Sequence, residues 1–261
     1  MKQYIQYTKN EENISLLKQD GIILCAKYAF GPNRLHYCGP DANEEILSYI
    51  KEGISDPSIE TLLKQFQTMY PYLNYIARAN KISDPFDVRV VEAYWIGNNL
   101  LEKIDKQSFY RHLLEDQNIK NKVGSKSFEK IKEKIKNGAL PHHSFHVFNI
   151  WKRTGHLEEA HTLESMNECR ISSGKVEKID GPFITVATKS LIFIKNKLKL
   201  GNIEKRKIAR SLESSIEIDD VKIGDIVSIH WGVPCEVISE KKAKTIEYYT
   251  LKSIALANEN I

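Results

Sequence analysis

The chain has 261 residues, of which 41% are hydrophobic and 28% are charged, and it carries a formal net charge of +4. This composition excludes collagen-like, low-complexity and disordered chains, and it allows a core of one large domain or two small ones. No apolar segment is long enough for a bilayer span or a signal peptide, and four dispersed cysteines fit free or metal-binding thiols better than disulfides, so we expect a cytoplasmic protein without a membrane partner.

Helix-start signals recur through residues 1–165, which we predict to form an all-helical domain. An apolar helix is expected over 22–30. The Asp-Pro pairs at 56–57 and 84–85 are typical of an N-cap followed by the first helical turn. Another helix is predicted over 127–138, where a glycine can end it.

The segment 141–146 contains three histidines. If a helix begins with this segment, His142 and His146 lie one turn apart on one face, which is a spacing able to bind one metal ion. His36 or Cys38 could supply a third ligand, or Cys38 could be a nucleophile with His143 or His146 as its base. The alternative is that these histidines cap a helix and pack against aromatic side chains.

After about residue 168, short runs of Val, Ile and Thr broken by turns replace the helical spacing. Several short strands without long crossover segments predict a small closed or half-closed barrel of the oligonucleotide-binding type. The stretch 239–258 returns to helical spacing. We therefore predict an α+β fold, with a helical domain over 1–165 and a small β-barrel with a C-terminal helix over 168–258.

The barrel region carries an ordered set of motifs. Cys169 precedes an apolar stretch and Gly174, a Gly-Asp-x-Val-x-x-His-x-Gly strand places His230 near its end, and a helix follows Ser239. This succession resembles the small chaperones that help to deliver the iron centre of nickel-iron hydrogenases. The resemblance covers about the last third of the chain and implies that Cys169 and His230 hold iron.

The resemblance implies an accessory or maturation protein in metalloenzyme assembly, with iron or another divalent transition metal as cofactor and a protein as partner. It assigns ligation and docking to Cys169, ligation to His230, and the mouth of the site to Trp231 and Gly232. A thiolate and an imidazole suit a borderline divalent ion and leave coordination positions open. Two alternatives remain: both residues are ordinary core residues, or the protein is an enzyme whose site lies in the helical domain. The motifs favour a role other than catalysis.

A second resemblance covers the whole chain. The segments 25–41, 84–99 and 141–151 are similar to blocks of an uncharacterised microbial family with the same two-part layout. This similarity implies no activity.

Residues 189–210 contain eight basic residues and one acidic residue. A basic loop on such a barrel is typical of single-strand nucleic-acid binding, which also needs stacking aromatic residues. Since Phe193 is the one aromatic residue in the segment, we do not expect a nucleic-acid partner. A solvated hairpin, with lysines on its outer face or protecting an edge strand, fits the segment better. Lys195, Lys197 and Lys199 instead indicate contact with an acidic partner surface.

Overall fold

The computed structural model describes residues 21–150, 160–210 and 221–260. In these residues a group of helices precedes a five-stranded antiparallel sheet, and a long helix follows the sheet. The predicted α+β class, with helices first and a helix after the strands, is confirmed. None of the helices in these three ranges is long and apolar enough to cross a membrane.

The described α-helices are α1 (21–33), α2 (Asn43–Glu52), α3 (Pro57–Lys64), α4 (Met69–Ala79), α5 (Val88–Trp95), α6 (Lys106–Arg111), α7 (Ile119–Val123), α8 (Ser125–Lys136), α9 (His143–Phe145), α10 (Leu163–Cys169) and α11 (Glu240–Ala257). Two π-helical turns cover His112–Asp116 and His146–Ile150, and a 3-10 turn covers Asn258–Asn260.

Local capping explains where two of these helices begin. Asp56 accepts hydrogen bonds from the first backbone N–H groups of α3, which starts with the predicted proline. The helix expected at 84–85 begins one turn later, at Val88, because the side chain of Asp87 caps it by accepting from the N–H of Arg89.

The strands are β1 (Ser172–Asp180), β2 (Phe183–Ile194), β3 (Lys197–Ala209), β4 (Ile226–His230) and β5 (Val233–Ile238), paired in the order β3-β2-β1-β4-β5. The sheet is not closed into a barrel, because β3 and β5 are the two ends of this order. The N–H of Ala209 donates to the carbonyl of Gly232 at 3.3 Å, which brings the end of β3 near the β4–β5 turn.

The basic segment forms a hairpin, which is the interpretation that the sequence favours. Its residues belong to β2 and β3, which pair over most of their length. The turn between them consists of Lys195 and Asn196, with φ angles of 52° and 56°. Two successive residues with positive φ form the turn type that matches the twist of a tight hairpin.

The largest hydrophobic cluster crosses the junction between the helices and the sheet, which we call the seam. It includes Tyr28 and Trp95 from the helices and Cys235 and Tyr249 from the region after residue 221. The predicted division at 165–168 falls within α10, and it stays a prediction.

Glycine allows the two parts to approach closely at the seam. A Cβ atom on Gly31, in the last turn of α1, would lie 2.5 Å from the carbonyl oxygen of His230. The first helix therefore packs directly on the end of β4.

Candidate metal site

Three side chains from separate segments meet at the seam: His143 at the start of α9, Cys169 at the end of α10 and His230 at the end of β4. One ligand atom of each lies within 4.8 Å of the other two, and no other such group of three exists among the described residues. The Cys169 sulfur is 3.9 Å from Nε2 of His143. The two imidazole rings lie 5.2 Å apart at 80°. These three residues are the trio.

A proline explains how His230 is oriented. Pro32 lies in the last turn of α1 and has no N–H, so the helix supplies no i+4 donor to the carbonyl oxygen of Tyr28. Nδ1 of His230 lies 2.6 Å from that oxygen. Because a carbonyl oxygen can only accept, this contact assigns the proton of the neutral ring to Nδ1 and leaves the lone pair on Nε2.

His230 offers its second ring nitrogen as a ligand atom. Its Nε2 is buried beside the Cys169 carbonyl, but it forms no hydrogen bond of normal geometry within the described residues. Metal-ligating histidines commonly donate their other ring N–H to a carbonyl or carboxylate, which fixes the ring and its tautomer. His230 therefore has the arrangement of a histidine ligand before any ion binds.

His143 is held between two oxygen atoms. The Tyr94 hydroxyl lies 3.2 Å from Nδ1, and the Cys169 carbonyl oxygen lies 2.7 Å from Nε2. The carbonyl contact requires a proton on Nε2. Ligation through Nε2 would replace that proton, after which Nδ1–H could donate to the Tyr94 oxygen.

Burial keeps both imidazoles neutral. Desolvation lowers the pKa of His230 to about 4, against the opposing effect of its hydrogen bond to the Tyr28 carbonyl. Burial also lowers the pKa of His143 well below its ordinary value, and the neighbouring His230 adds to this shift. The Trp95 ring packs 4.6 Å from the ring of His143 and 5.4 Å from that of His230. Neutral imidazole is the form that ligates a metal ion.

Cys169 is the last residue of α10 and does not begin a strand. The helix forms because Thr162 and Ser165 cap its start reciprocally, each side chain accepting from the other's backbone N–H. The residue before the cysteine connects this helix to the sheet, since the carbonyl of Glu168 accepts from the N–H of Trp231 at 2.9 Å. This bond places Cys169 beside His230.

Trp231 closes one side of the site. Trp231 and Gly232 form the β4–β5 turn with φ angles of 50° and 70°, and the left-handed conformation costs a non-glycine residue about 1–2 kcal/mol. The bond to Glu168 and the contact with the Tyr37 ring, at 4.7 Å, hold this conformation. Backbone strain that neighbouring contacts maintain is common at functional sites.

A cavity of about 60 Å³ adjoins the trio at the seam, and we call it the seam cavity. Apolar and aromatic side chains dominate its wall, among them Phe66, Met69 and Val147. This volume is enough for a few waters or a small ligand. An ion held by the trio would keep a coordination position free on this side.

Of the second predicted cluster, Cys38 and His146 line the seam cavity together with His143. His142 does not, because it is the N-cap of α9: its Nδ1 accepts from the N–H of Ser144 at 3.1 Å, and its ring stacks on Tyr249 at 4.8 Å. The helix has only three residues before the π-helical turn, so the expected pairing of His142 and His146 on one helical face does not form.

The structure thus brings Cys169 and His230 together and adds His143, which the sequence indicated only as a base. No spacing pattern identifies His143 as their partner, because its neighbours form the more regular His-x3-His pair. Trp231 lines the cavity as expected. Lys195, Lys197 and Lys199 lie on the hairpin and do not line it, and Lys197 donates to the carbonyl of Asn258.

Residues 17–261 match a protein-family model described as a family of unknown function (DUF6390). No curated protein and no solved structure matches the chain. The family match supports the similarity to an uncharacterised family. It does not show the resemblance to hydrogenase-assembly chaperones.

Proposed function

This chain belongs to DUF6390, a family of unknown function, and we propose that it binds one divalent transition-metal ion through His143, Cys169 and His230. The observation that carries the proposal is the orientation of His230. Nδ1 of His230 contacts the Tyr28 carbonyl, which has no helical donor because residue 32 is proline. The buried Nε2 has no hydrogen-bond partner among the described residues and is therefore available to an ion shared with Cys169 and His143.

The chemistry of the donor set defines the class of ion. Two imidazole nitrogens and one thiolate suit borderline ions such as Fe(II), Co(II) and Zn(II), and they disfavour Mg²⁺ and Ca²⁺, which prefer oxygen ligands. In a tetrahedral site with ordinary bond lengths, the ligand atoms lie about 3.5 Å apart. The sulfur and Nε2 of His143 are 3.9 Å apart, and all three ligand atoms lie within 4.8 Å of one another. The side chains must therefore move closer by up to about 1.3 Å to close on an ion.

The number of ligands distinguishes a metal-handling site from a structural one. Structural zinc sites have four protein ligands, whereas three ligands leave a position for water, substrate or a donor from another protein. The seam cavity lies beside the trio and provides room for that fourth ligand. An open position suits an ion that is passed on as well as one that takes part in catalysis. The resemblance to hydrogenase chaperones favours the first use, an accessory role in metalloenzyme assembly with iron as the cargo and a protein as its recipient.

The test is anaerobic titration of the purified protein with Fe(II), Co(II) and Zn(II). We expect one ion per chain, and the Co(II) form should show a thiolate-to-cobalt charge-transfer band. Cys169→Ser should remove that band, and His230→Gln should weaken binding by more than about 100-fold, because each variant loses one of three ligands.

Two variants are matched controls, because their residues line the same cavity but lie outside the trio. Cys38→Ser should retain the thiolate band, and His146→Gln should retain the stoichiometry. Folded wild-type protein that binds none of the three ions, or binding that survives in Cys169→Ser, would show the proposal to be wrong.

A second candidate function is thiol-dependent catalysis in the seam cavity. The observation that favours it is the contact between Cys169 and His143, with Cys38 and His146 on the same cavity wall. In the tautomer of His143 whose proton is on Nδ1, toward the Tyr94 oxygen, Nε2 can accept the proton of an attacking thiol. This candidate predicts alkylation of Cys169 by iodoacetamide at neutral pH, faster than in His143→Gln. Equal rates in the two proteins would contradict it.

A further inference from the structure

Cys169 and the residue that follows it, Arg170, line two different cavities. Cys169 lines the seam cavity, whereas Arg170 lines a separate cavity of about 190 Å³ between α11 and the sheet. Strands β1, β2 and β3 form its floor, and the first half of α11 forms its wall. We call this second cavity the α11 groove.

Arg170 is a buried cation without a carboxylate partner. It is only 4% exposed, and its Nε and Nη2 groups donate to neutral oxygens, the Asn167 side chain and the Lys189 carbonyl. No carboxylate of a described residue lies within ion-pair distance of its guanidinium. The neighbouring Glu168 pairs with Arg206. The carboxylates of Glu168 and Glu247 act on Arg170 only from beyond ion-pair distance, and each forms an ion pair with another cation. A bound anion would supply the direct counter-charge that a buried guanidinium requires.

The rest of the α11 groove adds to the positive charge. Lys175 and Lys189 line it, and Glu247 is the single acidic residue among the described lining residues. Glu247 forms an ion pair with Lys189 at 2.6 Å. Lys175 is exposed and forms no ion pair with a described residue, so the described lining of the groove has three cationic side chains and one carboxylate.

An unsatisfied hydroxyl lies in the wall of the groove. Thr250 is fully buried, and its Oγ1 has no hydrogen-bond partner in the described part of the chain. A threonine inside a helix commonly donates to the carbonyl one turn earlier, as Thr245 does to Lys241 in the same helix. Thr250 therefore keeps a donor available beside the cationic groups.

We propose that the α11 groove binds a small organic carboxylate, with the carboxylate at Arg170 and Lys175. Arginine and carboxylate form strong charge-assisted hydrogen bonds, and Nη1 of Arg170 is not used in its bonds to Asn167 and Lys189. The apolar side chains of Leu200, Ile203 and Ile246 line the same groove and would contact the body of the ligand. This apolar wall favours an organic acid over inorganic phosphate. The site is independent of the proposed metal.

The experiment is calorimetric titration of the full chain with acetate, butyrate and hexanoate, and with inorganic phosphate, at one ionic strength. Saturable binding should tighten from acetate to hexanoate as the apolar body lengthens. Phosphate should bind more weakly than hexanoate. Absence of saturable binding by all three carboxylates, or phosphate that binds as tightly as hexanoate, would overturn the proposal.

Variants test whether binding occurs in the groove. Lys175→Gln should weaken hexanoate binding about tenfold, because it removes an exposed charge-assisted contact without changing the core. Lys178→Gln, on the same strand but outside the groove, should have no effect. Equal affinities in these two variants would contradict the assigned location.

Arg170→Gln should abolish binding if the variant folds. Thr250→Val is the complementary test, because it removes the unsatisfied hydroxyl and keeps the shape of the side chain. It should raise the thermal midpoint of the free protein and weaken hexanoate binding severalfold. A higher midpoint with unchanged affinity would show that the hydroxyl takes no part in the site.

Discussion

The seam cavity and the β2–β3 hairpin show two opposite uses of ionisable side chains. At the seam, imidazoles are removed from water, are kept neutral and have one defined orientation. On the hairpin, lysines and arginines remain charged at the surface, where several form single ion pairs, such as Lys189 with Glu247 and Lys205 with Glu177. Isolated surface pairs contribute little to stability. The high positive charge of the hairpin is therefore a property of a solvated surface. The buried, neutral imidazoles at the seam are the feature that indicates a functional site.

The largest expected effect is a loss of folding stability in acid, caused by a buried histidine. The pKa of His112 is lowered to about 4 by burial, against the opposing effect of Asp116, whose carboxylate lies 2.9 Å from its Nδ1. An unfolded histidine has a pKa near 6.5, so the unfolded state binds more protons between these values. Stability is therefore highest above pH 6.5, and about 3 kcal/mol from this residue is lost as the pH falls to about 4.

Urea unfolding of wild type and His112→Gln across this pH range measures the effect. The variant should show a shallower decline in the free energy of unfolding than wild type. Parallel declines would show that His112 is protonated equally in the folded and unfolded states.

The next effect tests the close approach at the seam. Gly31→Ala places a methyl group 2.5 Å from the His230 carbonyl, which the protein can relieve only by moving β4 away from α1. We expect a loss of about 2 kcal/mol of stability and weaker metal binding. Helix propensity alone predicts the opposite change in stability, a gain of about 1 kcal/mol when alanine replaces glycine in a helix. A gain measured by urea unfolding would contradict the described packing of the seam.

A smaller effect concerns the orientation of His143. Tyr94→Phe removes the hydroxyl that contacts Nδ1, and loss of such an orienting partner weakens metal affinity about tenfold or more. Tyr72→Phe is a matched control, because the Tyr72 hydroxyl lies 3.3 Å from Nδ1 of His146, outside the trio. Titration with Co(II) should distinguish the two variants. Equal Co(II) affinities in the two variants would show that Tyr94 does not orient His143.

The smallest effect is expected on the hairpin. Lys195 and Lys199 form no ion pair with any described residue, so replacing both by glutamine should change the free energy of unfolding by less than about 0.5 kcal/mol. Retention on a single-stranded DNA column should also stay unchanged, since few aromatic side chains are available for stacking. A salt-dependent loss of retention in the double variant would favour nucleic-acid binding.

Local signals predicted most of the fold. Apolar spacing and capping residues indicated α1, α3, α8 and α11 within a few residues, because these patterns depend on neighbours along the chain. The strands of the hairpin were partly missed, since alternating lysines in β3 are equally typical of a solvated loop. Whether the sheet closes depends on the pairing of its end strands, which no local pattern determines.

The candidate site was predictable only in part. The motif order identified Cys169 and His230, and the structure brings them together. His143 could not be found, because its position depends on how α9 packs against the end of β4. The spacing of His142 and His146 predicted a shared helical face, but His142 is an N-cap residue and its ring stacks on Tyr249. Residue spacing predicts which side chains share a face of one helix or strand. It cannot predict the trio, because its three residues lie on three different elements.

The bond between His230 and the Tyr28 carbonyl joins positions that are 202 residues apart. Contacts of such separation form slowly, because a long segment of chain must be ordered before they close. During synthesis, the first helix and His143 emerge well before the strand that carries His230. The complete ligand set therefore exists only after synthesis has passed β4 and the strand has packed, so ion uptake through the trio would exclude chains that end before β4.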